Sequence, residues 1–336
     1  MARAGDDTSV AQGGRAALVP VIGAIAGSLL VVLVHPVVGL PVAASAIAAL
    51  WARGRGSVAI MSAVAGGAVA TALSSVSAYI LFVPLMGVPV TARVPYVHFT
   101  WVTVSLLVCG ILTVGLLKRL GALSVVGIVT LVLSAVELIA VASLASGAGL
   151  SVTEYVTAAT REMAALAGMA DELVDAFVEG WPALLVTMSG ATALFAVAAV
   201  AGSASRFDQR VRRFPALADL DLDPKTALLA IAAVGALAAG RFVAETAPVV
   251  EQAGMNLLVV ARMVFLLQGV AVFAGLYRRA GVSRPFRFLG FVILGVTEMF
   301  FPAVSLTGLA DIWLNLRRLP RDGAIPGDRK DGPVGT

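Results

Sequence analysis

The chain has 336 residues, is 59% hydrophobic and only 13% charged, and carries a formal charge of +4. A soluble globular chain carries about 25% charged residues, so this one cannot cover a water-facing surface, and several apolar runs of membrane-spanning length identify a multi-pass membrane protein. The basic residues flank apolar runs and form no stripe interleaved with aromatics, which excludes a nucleic-acid face, and the single cysteine, Cys109, excludes an internal disulfide framework.

Residues 1–15 are polar and are expected to form a disordered cytoplasmic N-terminus, ahead of a transmembrane bundle over residues 16–318. Eight segments are long enough, or nearly so, to span: 16–34, 57–86, 98–117, 122–146, 182–203, 226–244, 254–277 and 286–303. Two more, 38–52 and 304–316, cover only about 20 Å at 1.5 Å per residue, against a hydrocarbon core of about 30 Å. The first run lacks a signal-peptide cleavage site and is expected to stay as a membrane helix. Basic clusters at Arg53 and Arg55, Lys118 and Arg119, Arg206–Arg213, Arg278–Arg287 and Arg317–Arg321 read as cytoplasmic by the positive-inside rule. With both termini cytoplasmic, the two short segments must return the chain as short, partly buried helices that satisfy their own backbone groups.

Segment 147–181 is acidic, with apolar residues at helical spacing. It reads as an extracytoplasmic amphipathic helix or helix pair broken near Gly168, either interfacial or a lid. Trp181-Pro182 is expected to open the next span, with proline in the first turn. Residues 204–225 read as a cytoplasmic loop and 319–336 as a disordered cytoplasmic tail. The expected fold class is all-α: a polytopic bundle of eight long spans and two short membrane helices.

Small residues recur every four positions at Ser62, Gly66, Ala70 and Ser74, and Gly23 and Gly27 form a GxxxG. Such stripes let helix backbones approach closely, either within the chain or on another membrane subunit. Three ionisable residues lie deep in apolar sequence: Glu137, Arg262 and Glu298. A charge at the bilayer centre costs about 2.5–3.5 kcal/mol on insertion scales, so Arg262 calls for a carboxylate partner, and Glu298 and Glu137 are both candidates. The three form a candidate intramembrane polar site, structural or for substrate or protons. Asn256, Arg262 and Gln268 are six apart and therefore occupy three helix faces. Asn256 and Gln268 are read as structural positions, with Gln268-Gly269 marking a close helix crossing. Asp311, Asn315 and Arg318 share one face at i, i+4 and i+7, read as structural anchoring. No catalytic constellation is present, and two histidines, His35 and His98, are too few for a histidine-built metal site. No enzymatic activity and no cofactor are expected.

The run NLLVVARMVFLLQGVAVFAGLYRRAGVSRP, followed by LTGLADIWLNLRR, resembles the C-terminal half of the YybS-type predicted membrane proteins, a domain-of-unknown-function family. The closing signature of that family reads here as Gly308, Asp311 and Arg317. The DLDPKTALL run at 220–229 resembles its entry to the preceding helix, with Lys225 at the family's lysine. The resemblance covers most of residues 16–320. The family is similar in layout to the substrate-binding S subunits of energy-coupling-factor transporters, and more loosely to the rod-shape protein MreD. The first likeness implies a small-molecule-binding transporter subunit of the bacterial inner membrane, with Gly23 and Gly27 docking a coupling subunit. The second implies a structural or scaffolding protein of envelope or division machinery. The lipid bilayer is the expected environment, with a small-molecule ligand and other membrane subunits as candidate partners.

Overall fold

The computed structural model describes residues 19–31, 35–77, 93–242 and 247–319. The polar N-terminus 1–15, the last part of segment 57–86 and the tail from 320 onward lie outside the described residues, so nothing tests them. Every regular element described is helical. The chain divides into two units, Met1–Phe214 and Pro215–Thr336.

The first unit holds α1 (Val19–Val31), α2 (Pro36–Ala52) and α3 (Gly56–Ser77). Helix α4 (Arg93–Leu117) runs through a π-helical turn at Val108–Leu112. Then come α5 (Ala122–Ala148), α6 (Val152–Ala167) and α7 (Asp171–Ala204). The second unit holds α8 (Ala227–Phe242), α9 (Ala247–Arg279), α10 (Arg284–Phe300) and α11 (Ala303–Leu314).

Six described helices are long and apolar enough to cross a membrane, which makes the chain an all-α polytopic bundle but changes the expected span list. The described part of segment 16–34 is α1, and residues 16–18 and 32–34 lie outside the described residues. Segments 286–303 and 304–316 are separate helices, as expected. Helix α10 stops at Phe300, and α11 leaves at an angle of 101° to it. Proline is the proximate cause, since Pro302 has no amide hydrogen to continue the ladder. The span expected to open at Pro182 begins eleven residues earlier, at Asp171, with Pro182 inside the helix. The break near Gly168 is present: Gly168 has φ of 64°, a left-handed conformation that glycine adopts without a Cβ clash.

The core of the first unit is built from small and branched residues: Ala44 and Ala48 of α2 cluster with Ala193, Ala196, Val197 and Val200 of α7 and Val125 and Val129 of α5, while Ala43 and Ile47 of α2 cluster with Ala24 of α1, Ala59 and Ala63 of α3 and Val102 and Leu106 of α4. Without a hydrophobic drive between helices in lipid, such close-packed small residues provide the van der Waals contact that holds them. The small-residue stripes are used here. Gly27 lies against the Ala43 backbone and Gly23 against Ala46. Ser62 and Ala70 are buried, Gly66 abuts Ser28 and Leu106, and Ser74 lies 3.3 Å from His98 Nε2. These faces are occupied within the chain and are not exposed docking surfaces. One end of this unit gathers basic clusters: the Arg53 guanidinium sits 4.0 Å from the Phe207 ring centroid, and Lys118 pairs with Asp208 at 2.8 Å.

Helix α6 starts on a capping box, in which Ser151 Oγ accepts from Glu154 N and Glu154 Oε2 accepts from Ser151 N. Those bonds favour the ionised form and hold the Glu154 carboxyl below its ordinary value of 4.5. A depressed carboxyl stabilises above the unfolded pKa and loses that contribution as pH falls through the folded value. Hydrogen exchange at the first turn of α6, corrected for intrinsic rates, should therefore be flat from pH 8 to 5 and accelerate below about pH 4.

Candidate functional site

The polar residues expected at membrane depth fall into three groups with different environments. In the second unit, the Arg262 Nε donates to Glu298 Oε1 at 3.1 Å, and Arg262 Nη2 donates to the Glu298 carbonyl. The carboxylate also caps α11: Glu298 Oε2 accepts from Val304 N at 2.9 Å and Ser305 N at 3.2 Å, and Ser305 Oγ donates to Oε1. The first amides of a helix lack intrahelical partners and carry partial positive charge, so a carboxylate there is doubly favourable. The break between α10 and α11 is thus closed by side chains of the chain itself. The Arg262 partner is Glu298; Glu137 belongs to the first unit and is bonded there.

The second group surrounds Gln268, which is fully buried. Its Nε2 donates to Asp221 Oδ1 at 3.1 Å and Asp311 Oδ2 at 2.9 Å, and its Oε1 accepts from Leu222 N at 3.2 Å. Arg317 enters the same cluster. Nε and Nη2 donate to Asp311 Oδ2, Nη2 to Asp221 Oδ1, and Nη1 to the Leu220 and Ala218 carbonyls at 2.6 and 3.2 Å. The five N–H groups of a guanidinium each find an acceptor. Beside this cluster α9 and α11 touch backbone to backbone, where a Cβ on Gly269 would meet the Val304 carbonyl and one on Gly308 the Phe265 carbonyl.

One reading needs correction. Arg318 does not share a face with Asp311, because α11 ends at Leu314 and Asn315 turns left-handed at φ of 44°. Helical register stops there, Arg318 points outward, and Arg317 is the residue turned in. Asn315 closes the turn, accepting from Leu319 N and donating to the Leu319 carbonyl. Asn256 is half-buried and donates to the Gln252 carbonyl one turn earlier.

The third group lies in the first unit. Glu137, half-buried on α5, accepts from Ser189 Oγ of α7 at 3.1 Å. It faces a cavity of about 140 Å³. His35 and Pro36 at the start of α2, Trp101 and Ser105 of α4, and Met188, Ser189 and Thr192 of α7 complete the wall. On sequence alone Glu137 stands out, whereas the hydroxyls, His35 and Trp101 give no signal of belonging with it.

The depth of this cavity follows from helix lengths. From the basic end of the unit, α2 spans about 24 Å back to Pro36, and α5 about 23 Å from Ala122 to Glu137. Beyond it, about 12 Å of α4 and 17 Å of α5 remain to their other ends. His35, at the start of α2, forms part of the cavity wall.

A family model described as Predicted membrane protein (DUF2232) matches residues 25–312. The chain belongs to this family of membrane proteins, and the resemblance read from the 256–318 stretch and the 220–229 run holds over most of the chain. No curated protein and no solved structure matches, so the likeness to transporter S subunits has no support from these comparisons. Of the three signature positions, Asp311 and Arg317 bond each other while Gly308 packs against α9. They serve the architecture of the second unit.

Proposed function

We propose that the chain is a transporter-type protein of a bacterial cytoplasmic membrane, with both termini cytoplasmic, that holds a small molecule in the cavity of its first unit. The observation that carries this reading is Glu137: a carboxylate at membrane depth that faces a cavity and not a guanidinium. An ionisable group at membrane depth without an ion-pair partner is by default a candidate for a ligand or ion path, and small-molecule sites sit between the helices of bundles. The sequence carries no phosphate-cradling loop, so energy input is assigned to a partner and no reaction is assigned to the chain. The scaffolding alternative requires an exposed small-residue face, and the stripes at Gly23, Gly27, Gly66 and Ala70 are spent on internal packing.

The reading requires water to reach the cavity. Cysteine placed at Met188, in a chain whose Cys109 is replaced by alanine, should react with a water-soluble thiol reagent. Inertness there would oppose the reading.

A further inference from the structure

Resting on that reading, we propose that the cavity between His35, Trp101, Ser105, Glu137, Ser189 and Thr192 takes a small organic cation, a primary ammonium seated against the Glu137 carboxylate.

The first argument is charge. The other carboxylates in apolar sequence, Glu298 and Asp311, are each held by an arginine of the chain. Among the described residues no ion pair involves Glu137. His35, also in the wall, uses its Nδ1 to accept from Val37 N at 3.3 Å as the cap of α2.

The second argument is hydrogen-bond sense. The Ser189 hydroxyl hydrogen is committed to Glu137, and that of Thr192 to the Met188 carbonyl at 2.9 Å. What both hydroxyls still offer is lone pairs. Lone pairs on these two hydroxyls beside a carboxylate favour a ligand rich in donors, and an ammonium has three. The Trp101 ring adds an aromatic surface of the kind that attracts a cation.

The third argument comes from the second unit. Where α10 breaks into α11, Arg262 Nε supplies a cationic donor to Glu298, and no ligand is needed. At the tip of α1–α2 the carboxylate and hydroxyl are present without the guanidinium. The ligand takes the place that Arg262 fills in the other unit.

Three probes of matched size and different charge test this: propylammonium, 1-propanol and propionate, each added to the full chain in nanodiscs at pH 7.5 and constant ionic strength. Propylammonium is expected to raise the thermal unfolding midpoint, with 1-propanol and propionate giving no rise. The half-saturating propylammonium concentration should rise at least tenfold in Glu137→Gln and less in Glu137→Asp. If Glu137→Gln does not fold, protection of a Met188→Cys thiol from labelling by propylammonium, and not by 1-propanol, provides the same reading. No stabilisation by propylammonium, equal stabilisation by 1-propanol, or an unchanged response in Glu137→Gln overturns the cation inference. Those results leave the small-molecule reading to its own test, because reagent access to Met188 does not depend on ligand charge.

Discussion

Replacing Arg317 with leucine is expected to lower stability by about 3–5 kcal/mol, the cost of stranding one partner of a buried ion pair. The residue is 3% exposed, and its five N–H groups serve Asp311, Asp221 and the carbonyls of Ala218 and Leu220. Leucine leaves the Asp311 carboxylate buried with its charge uncompensated and two carbonyls without their donor. The adjacent Arg318 is exposed, so Arg318→Leu should change stability by no more than about 0.5 kcal/mol. Unfolding midpoints of the two variants in the same detergent measure the contrast. Equal losses would mean that Arg317 is not the buried partner of Asp311. Arg262→Leu should cost less than Arg317→Leu, because Glu298 keeps the α11 amides and the Ser305 hydroxyl.

The second large effect is steric. Gly269→Val is expected to destabilise by about 1–3 kcal/mol or more through overpacking. The new side chain would run into the Val304 carbonyl, which is backbone and cannot rotate aside. It would push α11 from α9 and pull Asp311 away from Gln268. Gly295 offers the control, since a Cβ there meets nothing within 4 Å. Gly295→Ala should be neutral or should stabilise, alanine being about 1 kcal/mol better in a helix interior. A folded, unshifted Gly269→Val would remove the close crossing from the account.

These residues show how far the sequence could be read. Apolar runs gave the membrane class and most of the helices, because membrane insertion depends on length and hydrophobicity, which are local. The Gln268-Gly269 pair was legible as a crossing for the same reason: a buried amide beside a glycine has few other uses. Asp311, Asn315 and Arg318 share no face because helical register stops at Leu314; the local signal is Asn315 itself, asparagine being the residue other than glycine that readily turns left-handed at a helix end. Segments 286–303 and 304–316 were legible as separate pieces, and α10 and α11 divide between them; the 101° angle was not legible, because it depends on Pro302 ending α10 and on Glu298 capping α11. The cavity was least legible. His35, Trp101, Ser105 and Ser189 lie on four helices, and only packing brings them to Glu137. What was legible was the anomaly of Glu137 itself.

The central claim is a water-filled cavity at membrane depth beside Glu137, and thiol access measures it most directly. In a Cys109→Ala background, Met188→Cys lines the cavity with a side chain 43% exposed, whereas Ile139→Cys lies two residues from Glu137 with a side chain 68% exposed and not part of the wall. Both sit at similar depth, but a charged methanethiosulfonate reacts only with a thiol that water reaches. The account predicts rapid labelling of Met188→Cys, faster from the side opposite Arg53 and Lys118, and little labelling of Ile139→Cys. Equal inertness at the two positions would mean the cavity is closed to water, and the binding role assigned to the first unit would fall.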